Sequence, residues 1–310
     1  MSSFDRRTFL GTSAGVAAGL AAHSVGRGEE PSPPAKLAPG EIPPPPKVTL
    51  GDTGVTLSRL GQGTGVFGSN RQSNQTRMGF EKLVSLFHHA YERGIRFYDL
   101  ADLYGTHIYF REALRTIPRD EVGILTKIWW RYDGPQNKTL AEHREQITKT
   151  TVERFRHELA TDYLDIVLLH CMQKANWPEE MARYMDELNE EKAKGRIKAL
   201  GVSCHDFGAL KTAAAEPWVD VILARINPKG VKMDATPEEI IEVLRGAKAA
   251  GKSVIGMKIF GEGQLTNQRE ECIRYAQQHD FMDAMTIGFE APQQIDEVLQ
   301  LMARYPMKQA

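Results

Sequence analysis

Eight short aliphatic and β-branched runs alternate with longer stretches whose apolar residues recur three and four positions apart. This alternation constrains the fold more than any other feature of the chain. The runs are Leu57 to Leu60, Ile95 to Tyr98, Val122 to Thr126, Tyr163 to Leu169, Ile197 to Val202, Val219 to Ile226, Ser253 to Met257 and Ala284 to Ile287. Runs of this length and content suit parallel strands buried on both faces. Between them, sets such as Phe80, Leu83, Val84, Phe87, Ala90 and Ile240, Val243, Leu244, Ala247 trace one apolar helix face. Gly94, Gly195 and Gly251 each stand just before a strand, where a helix commonly ends in left-handed backbone.

Eight strand–helix units over roughly 250 residues predict an α/β fold, a (β/α)8 TIM barrel. The alternative is an open doubly wound sheet. That fold wants G-x-G-x-x-G between the first strand and its helix, and Gly61-Gln62-Gly63-Thr64-Gly65 has the wrong spacing. The segment VTLGDTGVTL precedes the first run. Its Gly51-Asp52-Thr53-Gly54 reads as the turn of a β-hairpin, which would cap the bottom of the barrel.

Residues 1–26 stand apart. Arg6-Arg7, then Thr8-Phe9-Leu10 and a mild Gly/Ala-rich apolar stretch, resemble a twin-arginine export signal, with Ala22 and Ser24 as small residues near a cleavage point. This implies handling by the twin-arginine export machinery and a periplasmic or otherwise exported location. A signal that does not function would leave the protein cytoplasmic. Residues 27–47 hold many prolines and few large apolar groups, and predict an extended, disordered tether. Residues 48–310 then form the barrel. Its body has no apolar run of about 18 residues, so no membrane span is expected there. A net charge of −1 gives no sign of a nucleic-acid partner.

In such barrels the active site lies at the C-terminal ends of the strands. Asp99 ends the second strand and Tyr104 follows in its loop. Lys127 ends the third and His170 the fourth. Singly, these are a loop cap, a rim aromatic, a solvated strand end and a core histidine. Together they bring a carboxylate, a phenol, an ammonium and an imidazole to one rim. An ammonium beside a phenol would lower its pKa. Such a group donates a proton to a carbonyl oxygen, or withdraws one from an alcohol.

With GIRFYDLADLYG, LTK, YLDIVLLH and ELNEEKAKGRIKALGVS in that order, the chain resembles the aldo-keto reductases over about residues 48 to 300. The resemblance implies reduction of an aldehyde or ketone, or oxidation of the alcohol, with NADP(H) or less often NAD(H). It implies Tyr104 as general acid, Lys127 as the group that lowers its pKa, Asp99 as the anchor of Lys127, and His170 as the group that positions the carbonyl. On the cofactor side it points to Ser203, Cys204, Asn227, Met257, Lys258, Gly261, Gly263, Gly288, Gln294 and Glu297.

Several of these depart from the family pattern. Cys204 replaces an asparagine, Leu223 a glutamine and Met257 a stacking tyrosine; Gln294 sits where arginine is common. No basic clamp for a 2′-phosphate is expected, which makes NADP(H) only mildly preferred over NAD(H). The chain ends soon after its last helix, so the substrate pocket is expected to be open. Cys171, Cys204 and His205 stand at adjacent strand ends, but their spacing fits no metal pattern and no metal is expected. A non-catalytic nucleotide-binding or regulatory role is the alternative to an enzyme.

Overall fold

The computed structural model describes residues 41–130 and 141–307. The arginine pair, the apolar stretch after it and the tether up to residue 40 lie outside the described residues. Among the described residues, no helix is long and apolar enough to cross a membrane.

Strands β1 (Lys47–Thr49) and β2 (Thr56–Ser58) pair antiparallel, with Val48 opposite Leu57. The hairpin thus starts at Lys47, one residue inside the stretch assigned to the tether. Eight parallel strands follow: β3 (Leu60–Gly63), β4 (Phe97–Asp99), β5 (Gly123–Ile128), β6 (Leu164–Met172), β7 (Ile197–Cys204), β8 (Val221–Arg225), β9 (Ser253–Met257) and β10 (Ala284–Ile287). They close in sequence order, with β10 pairing both β9 and β3.

Side chains alternate between two apolar layers, as the pleat requires. Ile166 and Leu168 face the barrel interior, with Phe97, Leu125, Val221 and Ile255. Val167 and Leu169 face the helices. Leu50, Val55 and Leu57 of the hairpin join the interior cluster and close the barrel floor. Each buried aliphatic side chain contributes roughly 1.5–3 kcal/mol.

The first barrel strand lies three residues later than expected. Leu57 belongs to the hairpin, and the barrel strand is Leu60-Gly61-Gln62-Gly63. Its glycines are there for space. A Cβ on Gly61 would sit 2.2 Å from the Phe97 ring, and one on Gly63 would sit 2.9 Å from Thr286 Oγ1. A strand built this way lacks the β-branched residues that signal strands.

Helix α1 (Asn74–Arg77) lies in the loop after β3, and α2 (Phe80–Glu92) follows it. Helix α2 ends in the expected left-handed glycine, Gly94 at φ 83, and the Ile95 N–H bonds the Ala90 carbonyl at 2.9 Å. The remaining helices are α3 (His107–Ala113), α4 (Ala141–Leu159), α5 (Trp177–Ala193), α6 (Phe207–Ala215), α7 (Pro237–Ala249), α8 (Arg269–Gln277) and α9 (Pro292–Arg304).

Candidate active site

Asp99, Lys127 and His170 converge because all three lie at strand C-termini on neighbouring strands. Tyr104 closes a short turn, Asp102–Tyr104, after β4. That turn is pinned from outside. Asp102 is buried and takes Arg71 Nη2 at 2.6 Å and Arg154 Nη2 at 2.7 Å, while the Arg71 N–H bonds the Leu103 carbonyl at 2.9 Å.

The Lys127 ammonium donates to Asp99 Oδ1, and to the Leu100 carbonyl at 2.9 Å. The second carboxylate oxygen, Oδ2, accepts from Thr286 Oγ1 at 3.0 Å. The buried ion pair is therefore satisfied on both sides. Lys127 Nζ lies 5.0 Å from the centre of the Tyr104 ring. The Tyr104 hydroxyl lies 3.3 Å from His170 Nε2, and the two rings meet edge-on. Trp129 packs against the His170 ring, and Trp130 Nε1 donates to the His170 carbonyl at 2.8 Å.

A β-bulge sets the end of β6. The register with β7 shifts between Leu169 and Met172, and Cys171 adopts φ 63. The Cys171 N–H donates to Ser203 Oγ at 2.8 Å, and its thiol lies 3.5 Å from His205 Nε2. Cys204 faces the opposite layer. No disulfide joins the two, since each is a free thiol.

The electrostatics differ from the expected ones. Burial pushes the Tyr104 phenol well above its ordinary value, and the Asp99 and Cys171 charges push the same way. Burial also lowers Lys127, against the pull of Asp99. His170 is driven well below its ordinary value by burial first, then by Lys127, His205 and Lys258. A phenol lowered by its ammonium neighbour was expected. The ammonium instead stands on Asp99, and loss of water dominates. Phenol and imidazole are both neutral at pH 7. The His170 Nδ1 atom is buried without a partner among the described residues. An unprotonated Nδ1 is the less costly orphan, which leaves the proton on Nε2, facing the Tyr104 oxygen.

The four side chains form one end of a cavity of about 370 Å3. The same cavity is lined by Ser203, Met257, Lys258, Gly263, Gly288, Gln294 and Glu297, all expected on the cofactor side. Gly65 lines it as well. A Cβ there would lie 2.3 Å from the Tyr104 ring, so Gly65 makes the room that Tyr104 occupies. Residues 59–304 match the Aldo/keto reductase family.

The chain belongs to the aldo/keto reductase family.

NADH-specific methylglyoxal reductase of Escherichia coli (strain K12) is 28% identical over 194 residues, covering 58% of this chain and 59% of that protein. Aldo-keto reductase AFTS1 of Alternaria alternata is 27% identical over 252 residues, covering 72% of this chain and 67% of that protein. The chain spans about half the length of several curated relatives, from 44% to 59%. Among solved structures, the holo form of aldo-keto reductase AKR11C1 from Bacillus halodurans superposes with a TM-score of 0.65 at 20% identity. It covers 84% of this chain and 92% of that one. The Bombyx mori aldo-keto reductase AKR2E4 in complex with NADP gives 0.62 at 16% identity, over 86% and 90%. At these identities the structures show a shared barrel.

In this aldo/keto reductase, three residues expected at the cofactor lie off the cavity wall. Cys204 follows Ser203 on β7, so alternation turns its thiol into the helix layer, where burial pushes it far up. Asn227 is buried and ties a loop together. Its Nδ2 donates to the carbonyls of Val231 at 2.8 Å and Lys258 at 3.2 Å, and its Oδ1 accepts from the N–H groups of Lys229 and Val231, both at 3.1 Å. Gly261 faces Val231, 2.7 Å from where a Cβ would be, and serves the backbone path at φ 55.

Other residues were not anticipated. Thr286 supports Asp99. Arg269, at the start of α8, lines the far end of the cavity, so a basic residue is present there after all. It escaped notice because it comes from the helix after β9 and not from the last strand. Arg269 Nε donates to Glu297 Oε1 at 2.9 Å, and Nη1 bonds the Thr266 carbonyl. Glu262 and Glu290 line the same end.

The residues present suit a nicotinamide dinucleotide. The cavity lining includes Tyr104 and residues of α9, with Ser203 and Met257 between the strand ends. Gly263 sits at φ 92 with open space where a side chain would be, so a ligand can approach backbone there.

Proposed function

We propose that this chain is an NAD(P)-dependent oxidoreductase that reduces an aldehyde or ketone, or oxidises the corresponding alcohol. The observation that supports it is the neutral Tyr104 hydroxyl, 3.3 Å from His170 in the wall of a cavity that the Lys127–Asp99 pair also lines. The names of relatives that are themselves reductases support the same reading.

A bound nicotinamide supplies or accepts the hydride. In reduction, charge would build on the carbonyl oxygen. Tyr104 transfers its O–H proton to the oxygen, so C=O becomes CH–OH. The Nε2–H of His170 orients the carbonyl oxygen and stabilises the phenolate that remains, as does the Lys127 charge across the ring. Asp99 and Thr286 keep Lys127 in place. The phenol then regains a proton from solvent. The test is to mix purified protein with NADH or NADPH and a panel of small aldehydes and ketones, following loss of the reduced nucleotide. Nucleotide binding with no turnover on any carbonyl would favour the regulatory role instead.

We also propose that residues 1–26 direct export by the twin-arginine route. Cell fractionation tests it: Arg6→Lys with Arg7→Lys is expected to keep the protein in the cytoplasm, and an unchanged distribution rejects the signal.

A further inference from the structure

The two ends of the cavity differ in charge. Tyr104, Lys127 and His170 stand at one end. The far end lies between the Gly261–Gly263 turn and the start of α9. Beyond Asp99, Tyr104, Lys127 and His170 the lining carries three carboxylates, Glu262, Glu290 and Glu297, and two cations, Lys258 and Arg269, of which Lys258 stands near enough to His170 and Lys127 to act on both. Both cations are already engaged. Lys258 Nζ bonds Glu262 Oε1 at 2.8 Å, and Arg269 Nε bonds Glu297 Oε1 at 2.9 Å. Lys232 adds a third cation, but it too lies on Glu262, at 3.7 Å.

Glu290 is exposed at the rim and accepts from Asn74 Nδ2 at 3.0 Å. Its own backbone N–H is taken by Gln294 Oε1 at 2.8 Å. The Gln294 side chain therefore folds back on its own loop. It brings no charge in any case.

A nicotinamide dinucleotide with its reactive ring beside Tyr104 extends toward this end. NAD(H) brings a neutral 2′-hydroxyl, which donates well to a carboxylate. NADP(H) brings a phosphate carrying roughly −1.5 to −2 charges at neutral pH. In dinucleotide sites generally, an acid selects the 2′-hydroxyl and an arginine admits the 2′-phosphate. Here three acids meet three cations, every cation is held by Glu262 or Glu297, and among the described residues no cation stands on Glu290.

We infer that the cleft selects NAD(H) over NADP(H), and that Glu290 and Glu297 are the residues that discriminate against the 2′-phosphate. This rests on reading the cavity as a nicotinamide dinucleotide site.

The experiment is a binding titration of the full chain with NADH and with NADPH, read by quenching of tryptophan fluorescence and independent of any carbonyl substrate. NADH is expected to bind at least about tenfold more tightly than NADPH at roughly 0.1 M salt, with the ratio shrinking as salt screens the repulsion. Glu290→Arg is expected to tighten NADPH by about tenfold while moving NADH by less than about threefold. Its side chain is exposed, so the variant is expected to melt with the unaltered chain. Glu297→Gln, which releases Arg269, is expected to shift the ratio the same way. NADPH binding as tightly as NADH to the unaltered chain overturns the selectivity alone. An unmoved ratio in both variants overturns the assignment to these two residues. Binding of neither nucleotide sinks the dinucleotide reading and the selectivity with it.

Discussion

The ammonium of Lys127 stands on the carboxylate of Asp99 and 5.0 Å from the centre of the Tyr104 ring. The positive charge thus lies behind the phenol, and burial decides its acidity. Tyr104 is raised well above its ordinary value and His170 is lowered well below its own. Neither group changes protonation between about pH 6 and pH 9. A proton donor that stays protonated makes carbonyl reduction flat across that window. Alcohol oxidation needs the phenolate, whose population rises with pH, so its kcat/KM should climb throughout. Profiles of kcat/KM in both directions check this. A reduction limb falling with a midpoint near neutrality would show that some other group gives the proton.

Tyr104→Phe removes that proton and keeps the ring. Turnover should fall by about 10²- to 10⁴-fold, the usual worth of a positioned acid, while nucleotide affinity is retained. Single-turnover kinetics beside a binding titration separate the two. Retained turnover would mean that the hydroxyl beside His170 is not the donor.

The same buried pair makes a stability prediction. Lys127→Met leaves Asp99, only 7% exposed, with its charge and the Thr286 hydrogen bond but no cation. Stranding a buried charge costs about 3–5 kcal/mol. Asp99→Asn in the same chain removes the stranded charge and should restore a large part of the loss. Denaturant midpoints of the two single variants and the double variant measure the coupling, and simple additivity would show that the pair is not coupled in the fold.

How far the sequence could be read follows from the same physics. Seven of the barrel strands fall in or overlap the apolar runs of the sequence, because parallel strands are covered on both faces. The strand β3 was misplaced because Gly61 and Gly63 give up side chains to the Phe97 ring and to Thr286, and a glycine strand has no signal of its own. Asp99, Lys127 and His170 were legible since strand ends share one rim. The sense of the Tyr104 shift was not, since burial is a property of the closed cavity. Asn227 lies off the cavity wall because its amide bonds the backbone of its own loop, which composition does not show. Arg269 and Glu290 were missed because their approach to Glu297 and the cavity depends on the paths of two separate loops.

Gly65 bears on Tyr104 directly. A Cβ at this position would lie 2.3 Å from the ring, and one on Gly68 would lie 2.4 Å from it. Gly65→Ala should fold, since neighbouring loop atoms can shift, but the phenol must move. A displacement of about 1 Å at a reacting group is enough to cost on the order of 10²-fold in turnover. We expect kcat to fall by roughly that factor with the melting temperature little changed. Full activity in the alanine variant would show that the ring position is not demanding.

The turn that carries Tyr104 is tied to the barrel periphery through charges. Asp102 holds Arg71 and Arg154, and Arg154 Nη1 reaches Glu158 Oε1 at 2.8 Å. Glu158 also holds His107 Nδ1 at 2.7 Å. Burial alone would raise the Glu158 carboxyl. The hydrogen bonds from His107 and Arg154, and their charges, outweigh it and bring the pKa from 4.5 down to about 2. A depressed carboxyl stabilises the fold above its unfolded value and loses that contribution as pH falls through its folded one. The Glu158 contribution is therefore full at pH 7 and fades below about pH 4.5. Glu158→Gln should cost on the order of 2 kcal/mol at pH 7 and less than about half as much at pH 3. Urea unfolding of both proteins at the two pH values gives the comparison. Turnover at pH 7 should drop as well, because Arg154 then holds Asp102 less firmly. A stability loss that is equal at both pH values, with turnover untouched, would mean that Glu158 acts by packing and has no part in holding the turn.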